Sequence, residues 1–188
     1  MPTEKRPFPD TIEGELVCLR RFEEAHVEPI FEAIQRDRQR LLRFLPWPRY
    51  INSVADELEF IRGSREHFDA FTSFGYGIYP RVADSFAGTI GSFNVDCDNM
   101  KFEVGYWLLG SAEGKGYMTE ALELLLHEHA VRGFHRAELQ CEPENARSRA
   151  VAERCGFRYE GTLRECQWNG EAFLDMQVYG RLLSTHRP

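Results

Sequence analysis

Apolar residues recur along the chain with two periods, and the switches between them divide it into elements. The run Leu16 to Phe22 reads as a first strand. In Glu24 to Gln35, Val27, Ile30, Phe31 and Ile34 fall on one stripe of a helix. The pattern breaks at Leu45-Pro46-Trp47-Pro48, because two prolines remove backbone donors and push the residues before them towards extended geometry. Ser53 with Asp56 three residues on resembles a capping box. After it, Val54, Leu58, Ile61, Arg65 and Phe68 continue a helical face despite Gly63, ending before Gly75. Gly75 to Arg81, Ser85 to Cys97 and Lys101 to Leu109 read as strands with turns at Ala83-Asp84 and Asp98-Asn99, which predicts an antiparallel meander.

The second half repeats the logic with a crossover. Met118, Ala121, Leu122, Leu125 and Leu126 keep helical spacing within Tyr117 to Val131, and Gly133 is placed to stop that helix. A strand at Ala137 to Cys141 follows, so the strands on either side of the helix should be parallel and adjacent or nearly so. Asn145 to Arg154 reads as a short helix closed by Gly156, and Asn169-Gly170 joins Arg164 to Trp168 and Ala172 to Leu182 in a tight hairpin. The sum is an α+β fold: a mixed, mostly antiparallel sheet flanked by helices. With 188 residues and no repeat or linker, residues 1-188 read as one domain, and the polar, proline-interrupted start, residues 1-12, as a loosely ordered tail.

Composition narrows the function. The net charge of -7 repels a phosphate backbone, and no basic block interleaved with aromatics offsets it, so a nucleic acid is not expected to bind directly. A cationic partner such as a peptide amine would be attracted. The longest aliphatic run, Leu124 to Leu126, cannot cross a bilayer, and no signal-like segment follows Lys5 and Arg6, so neither a membrane span nor export is expected. Five scattered cysteines without a Cys-x-x-Cys pair argue against a disulfide framework or a zinc site and fit a reducing cytoplasm.

The most informative stretch is Trp107 to Thr119, where an apolar strand meets a Gly-rich turn and then an amphipathic helix. Gly114 and Gly116 let the backbone approach a ligand closely, and the helix starting near Tyr117 points unpaired N–H groups and a partial positive charge at the same spot. An anion should bind there. A Walker loop would need Gly at Leu109 and Ser or Thr at Gly116, while a dinucleotide fingerprint counted from Gly114 would need a small residue at Thr119, so neither template fits. A glycine turn that merely caps a helix is the competing structural explanation.

A second segment decides between them. Glu113-Gly114-Lys115-Gly116-Tyr117-Met118 resembles the pyrophosphate loop of the GNAT superfamily of N-acetyltransferases, Gln/Arg-x-x-Gly-x-Gly/Ala, with Glu113 and Met118 as departures. Asn145, with Gly156-Phe157 eleven and twelve residues later, resembles that superfamily's second coenzyme motif. Leu45-Pro46-Trp47-Pro48, Glu103 to Leu108 and Phe157 to Gly161 extend the likeness over nearly the whole chain to the branch that acetylates N-termini of ribosomal proteins, the RimJ/RimL type. The resemblance implies the GNAT acyl-CoA N-acyltransferase fold, in which the strand ending near Leu109 splays from the strand of Leu139 and the pantetheine arm of acetyl-CoA lies in the gap. It also implies a coenzyme site of Trp107, Leu108, Leu109, Gly114, Lys115, Gly116, Tyr117, Met118, Thr119, Asn145 and Ser148. With Glu113 at the first motif position, phosphate affinity should rest on backbone amides.

Acetyl transfer to an amine needs a neutral nitrogen, a stabilised oxyanion and a proton for the departing thiolate. The superfamily's usual acid, a Tyr seven residues after the motif Asn, is replaced by Ala152. Ser148, three residues after Asn145 and on the same side of the short helix, becomes the candidate acid, as in the ribosomal branch; capping its own helix is its structural alternative. Glu160, beside Tyr159 and Gly161, and Glu103, on the strand before the loop, compete as base; either reads equally as a solvated strand acid. A backbone N–H near Leu108 or Leu109 would hold the oxyanion. Trp47 either lines the acceptor cleft or plugs the helix junction. Arg147 and Arg149 read as solubilising, and Glu123 with His127 as a solvated pair, so no metal is expected.

The implied reaction is direct transfer from acetyl-CoA, as co-substrate, to a primary amine, with a protein N-terminus favoured. An α-amine of pKa roughly 7.7–8.0 is about a fifth neutral near pH 7.4, against roughly one part in a thousand for lysine. A small-molecule amine or aminoacyl antibiotic is an alternative acceptor. A non-catalytic acyl-CoA sensor and a phosphate-binding regulatory domain unrelated to the coenzyme are other classes. Monomer and homodimer are both compatible with the sequence.

Overall fold

The computed structural model describes residues 6–183. Eight strands form one sheet in the order β1-β2-β3-β4-β5-β6-β8-β7: β1 (Thr11–Glu13), β2 (Val17–Arg21), β3 (Phe74–Pro80), β4 (Gly88–Asp96), β5 (Lys101–Leu108), β6 (Arg136–Cys141), β7 (Arg158–Trp168) and β8 (Phe173–Leu182). Every neighbouring pair is antiparallel except β5 and β6, which are parallel as the crossover predicts. Four helices accompany the sheet: α1 (Val27–Leu41), α2 (Val54–Asp69), α3 (Tyr117–Ala130) and α4 (Ala146–Arg154).

Side-chain alternation along β5 divides the packing. Phe102, Val104, Tyr106 and Leu108 join the larger core with Met118, Ala121, Leu122, Leu125 and Leu126 of α3. Trp107, between them in sequence, packs instead against the smaller cluster built from Phe22, Val27, Ile30, Ile34, Leu41 and Ile61, which gathers α1 and α2. The sheet thus separates a face covered by α3 from one covered by α1 and α2. Several helix ends follow from their residues. Ser53 and Asp56 make a reciprocal capping box on α2. Gly133 and Gly156 take positive φ of 87° and 70° just past α3 and α4, where a Cβ would be strained.

Three expectations need correction. Residues 6–12 are not a loose tail: Phe8 stacks on Phe74 with ring centroids 3.7 Å apart, Ile12 is buried, and Thr11–Glu13 pairs with β2. Two aromatic and aliphatic anchors outweigh the prolines between them; residues 1–5 lie outside the described residues. The first turn of the predicted 24–35 helix is a 3-10 turn, Glu24–His26, and α1 then runs on to Leu41. The hairpin strand begins at Arg158 rather than Arg164, with register shifts at Tyr159/Gly161 and Leu163/Gln167.

Candidate active site

Pairing between β5 and β6 stops at Val104–Leu139, so Gly105 to Leu108 leave the ladder and a gap opens between the two strands. This is the splay that the resemblance implies. A cleft of about 950 Å³ fills the space between the end of β5, the start of α3, the start of α4 and the end of α1.

One wall is the Gly-rich turn. Gly114 and Gly116 have φ of 73° and 81°, a region where an L-residue is disfavoured by roughly 1–2 kcal/mol. This backbone makes Gly116 the N-cap of α3 and leaves the Tyr117, Met118 and Thr119 amides without an intrahelical acceptor. The turn is held from both sides. The Glu120 carboxylate accepts the N–H groups of Glu15, Leu16 and Val17 at 2.7–2.9 Å, locking the first turn of α3 to the loop between β1 and β2. On the other side Arg40 of α1 donates to Glu113 at 2.6 Å and to the Leu108 carbonyl, while Asp37 accepts the Gly110 N–H at 2.8 Å. Burial pushes the Asp37 carboxyl up, but Arg40 and the Gly110 amide outweigh it and hold it below the usual range.

The opposite wall is α4. Asn145 is its N-cap and accepts the Ser148 N–H at 3.2 Å, so the motif Asn builds the turn that presents Ser148. The Ser148 hydroxyl lies 3.2 Å from the Tyr106 hydroxyl, which also donates to the Ser148 carbonyl at 3.1 Å. Burial drives the Tyr106 phenol well above its ordinary pKa, partly offset by Ser148, so it stays a proton donor at neutral pH. Ala152, where the superfamily keeps its Tyr, is fully buried.

Of the sequence-predicted coenzyme residues, Trp107, Leu108, Gly114, Gly116, Tyr117, Met118, Thr119, Asn145 and Ser148 all line the cleft. Leu109 and Lys115 do not. The Leu109 N–H is taken by the Ala87 carbonyl at 2.8 Å, and the exposed Lys115 leans over the Tyr117 ring. Because N–H groups alternate along a strand, that bond turns the Leu108 N–H towards the edge that β6 has left. Of the two N–H groups considered for the oxyanion, only the one on Leu108 is therefore directed into the gap.

The predicted bases are elsewhere. Glu160 lies on β7, outside the cleft lining, in an ion pair with Arg136 that holds its carboxyl below the usual range. Glu103 lies among the paired residues of β5 and accepts from Asn94 at 3.0 Å. Trp47 lines neither the cleft nor the cavity next to it; its ring sits 5.4 Å from that of Trp107 as part of the smaller core. Sequence reasoning passed over Tyr106, Arg40 and Arg147. Tyr106 could have been found by alternation, since it shares a β5 face with Val104 and Leu108; Arg40 reaches the turn only through the tertiary fold. Arg147, solubilising by its place on an exposed helix end, pairs with Glu113 at 2.8 Å, so two guanidiniums converge on the acid that stands where the family motif has Gln or Arg. Glu123, the other half of the suggested pair with His127, bonds Arg181 instead. No helix among the described residues is long and apolar enough to cross a membrane.

Comparison with known proteins agrees with this geometry. A ribosomal-protein-serine acetyltransferase of Escherichia coli (strain K12) is 29% identical over 168 residues, covering 86% of this chain and 90% of that protein. Among solved structures, RimL, a ribosomal L7/L12 alpha-N-protein acetyltransferase in complex with coenzyme A, superimposes with a TM-score of 0.88 at 26% identity, over 92% of this chain and 98% of that one. The microcin C7 self-immunity acetyltransferase MccE, in complex with acetyl-CoA and AMP, gives 0.86 at 25% identity, over 90% and 93%. The chain matches the acetyltransferase (GNAT) domain over residues 17–158. It therefore belongs to the GNAT family of acetyltransferases, and the two segments that resemble that family's coenzyme motifs face each other across the cleft between β5 and α4.

Proposed function

We propose that the cleft binds acetyl-CoA and passes its acetyl group directly to the α-amino group of a protein or peptide N-terminus. The observation that carries this reading is the early end of β5–β6 pairing. It leaves a gap flanked by the unpaired amides of α3 on one side and the Tyr106–Ser148 hydroxyl pair on the other.

The residues divide the reaction among them. The amides of residues 114–119 and the positive end of α3 hold the diphosphate, with Arg147 beside them. The thioester carbonyl points at the Leu108 N–H, which stabilises the oxyanion formed when the amine nitrogen attacks. As the C–S bond breaks, the thiolate takes a proton from the Ser148 hydroxyl, which recovers one from solvent in the open cleft; Tyr106, 3.2 Å away, keeps its own proton and positions that hydroxyl. No covalent enzyme intermediate is needed. The acceptor preference rests on the larger neutral fraction of an α-amine and on the likeness to RimL. The likeness to MccE keeps a small-molecule amine as the second reading.

Thiol release from acetyl-CoA in the presence of a peptide library tests the proposal. Turnover should depend on a free N-terminal amine and vanish with N-terminally blocked peptides. Turnover on small amines alone would favour the second reading. Calorimetric binding of acetyl-CoA without turnover on any amine would make the protein a sensor, and equal competition by ATP would exclude coenzyme specificity.

A further inference from the structure

Past the Val104–Leu139 pair the edge of β5 that faces β6 has no strand beside it, and the last residues of β5 are held by other means. On the β4 side Leu108 pairs with Gly88, and the Leu109 N–H meets the Ala87 carbonyl at 2.8 Å. The remaining partners come from α1. Arg40 donates to the Leu108 carbonyl, and Asp37 accepts the Gly110 N–H at 2.8 Å. These two side chains are themselves joined: Arg40 Nε lies 3.0 and 2.8 Å from the Asp37 oxygens, and Nη2 lies 2.6 Å from one of them. Side chains of α1 thus do for residues 108–110 what β6 does for β5 up to Val104.

Strand geometry ties this bond to the chemistry. In an extended strand a residue's N–H and C=O point to the same edge, so the Leu108 carbonyl stands beside the Leu108 N–H to which the acetyl-transfer reading gives the oxyanion. Left bare, that carbonyl would turn its lone pairs on the negative charge developing next to it. Arg40 occupies it and sets a guanidinium there instead. Arg40 lines the cleft, as do Arg43, Arg147 and Arg154, but among the described residues it is the one of these four that bonds the backbone of β5. Its third nitrogen is engaged too, since Nη1 reaches Glu113 at 2.6 Å. The same guanidinium therefore fixes the end of β5 against the turn that would hold the diphosphate.

We infer that Arg40 is a positioning residue for acetyl transfer: held by Asp37, it fixes Leu108 so that its N–H is directed at the thioester oxygen, and its charge offsets the carbonyl beside that N–H. Arg40 forms and breaks no bond to substrate and gives up no proton. The inference rests on the acetyltransferase reading above and adds a residue, outside both coenzyme motifs, on which the rate depends. Its signature is a loss of kcat rather than of coenzyme affinity. The amides of residues 114–119 are set by Gly114, Gly116 and the Glu120 clamp, none of which Arg40 touches, and Glu113 keeps Arg147 when Arg40 is replaced.

The test compares wild type, Arg40→Met, Arg40→Lys and Asp37→Asn by steady-state kinetics with acetyl-CoA and an N-terminally free peptide, and by calorimetry with coenzyme A. Arg40→Met should lose about tenfold to a hundredfold in kcat, with peptide KM and coenzyme affinity within about threefold of wild type. Arg40→Lys should keep part of the lost kcat, because an ammonium can meet the Leu108 carbonyl but cannot also hold both carboxylates. Asp37→Asn, which still accepts the Gly110 N–H, should lose several-fold, and joining it to Arg40→Met should cost no more than Arg40→Met alone. Wild-type kcat in Arg40→Met overturns the inference and leaves the transferase reading standing; if that variant does not fold, wild-type kcat in both Arg40→Lys and Asp37→Asn does the same. Coenzyme affinity that falls in step with kcat also overturns it, by making Arg40 a support of the phosphate turn. Wild type that binds acetyl-CoA but acetylates no amine removes the transferase reading and the inference with it.

Discussion

At the scale of single residues, the proposed chemistry rests on two hydroxyls and two glycines. Ser148 and Tyr106 approach within 3.2 Å because Asn145 caps α4 and because β5 turns its Tyr106 face towards that cap. If Ser148 protonates the thiolate, Ser148→Ala should lower kcat by a factor of tens or more with little change in acetyl-CoA affinity, and Tyr106→Phe should lower it less. Steady-state kinetics beside calorimetry separate these effects; unchanged kcat in Ser148→Ala removes it from the mechanism. Gly116 is a different case, since its φ of 81° is a backbone requirement. Gly116→Ala is expected to weaken coenzyme binding by roughly tenfold, as a residue disfavoured there by about 1–2 kcal/mol reorients the amides of the turn. Equal affinity in calorimetry would mean the turn does not touch the phosphates.

At the scale of elements, α3 links the site to the core. Its first turn faces the cleft, and its last turn carries His129, fully buried with its ring stacked on Phe102 at 3.7 Å and Nδ1 bonded to the Leu125 carbonyl at 2.9 Å. Burial lowers the His129 pKa to about 3. The unfolded chain would protonate this imidazole near pH 6.5, so its contribution to stability is complete above that pH and declines as pH falls from 6.5 towards 3. Between pH 7 and pH 4 the loss from this group is roughly 3 kcal/mol. Denaturant unfolding of wild type and His129→Phe at the two pH values measures it. The variant should show a visibly shallower acid loss, and identical slopes would refute the neutral, buried imidazole.

The same scale explains what the sequence could and could not reveal. The α3 face was readable because Met118, Ala121, Leu122, Leu125 and Leu126 are all buried, so periodicity and burial coincide. The early part of β7 was not, because Arg158 to Glu165 is exposed on nearly every residue and has no alternation to read. The N-terminal strand was hidden by Pro7 and Pro9, although Phe8 between them is a core residue. Motif spacing located most of the residues that line the cleft around its turn and cap, which are local structures. It could not show where the two candidate bases sit relative to the cleft, because the bond from Asn94 to Glu103 and the pairing of Glu160 with Arg136 depend on contacts made by the tertiary fold.

At the scale of the molecule, the parallel pairing of β5 with β6 and its early end organise everything else. The crossover through α3 places a helix N-terminus at one side of the gap, and α4 brings Ser148 to the other. The Asp37–Arg40–Glu113–Arg147 chain ties α1 to the turn that would hold the phosphates. The acidic net charge of -7 lies on a protein whose proposed acceptor is cationic, while the coenzyme's anionic end is met by local amides and arginines. A crystal structure with acetyl-CoA bound tests this arrangement most directly. The diphosphate oxygens should lie within hydrogen-bond distance of amides between Gly114 and Thr119, with the thioester between the Leu108 N–H and the Ser148 hydroxyl. A coenzyme bound with that turn vacant, or with its thioester outside the β5–β6 gap, would contradict the account.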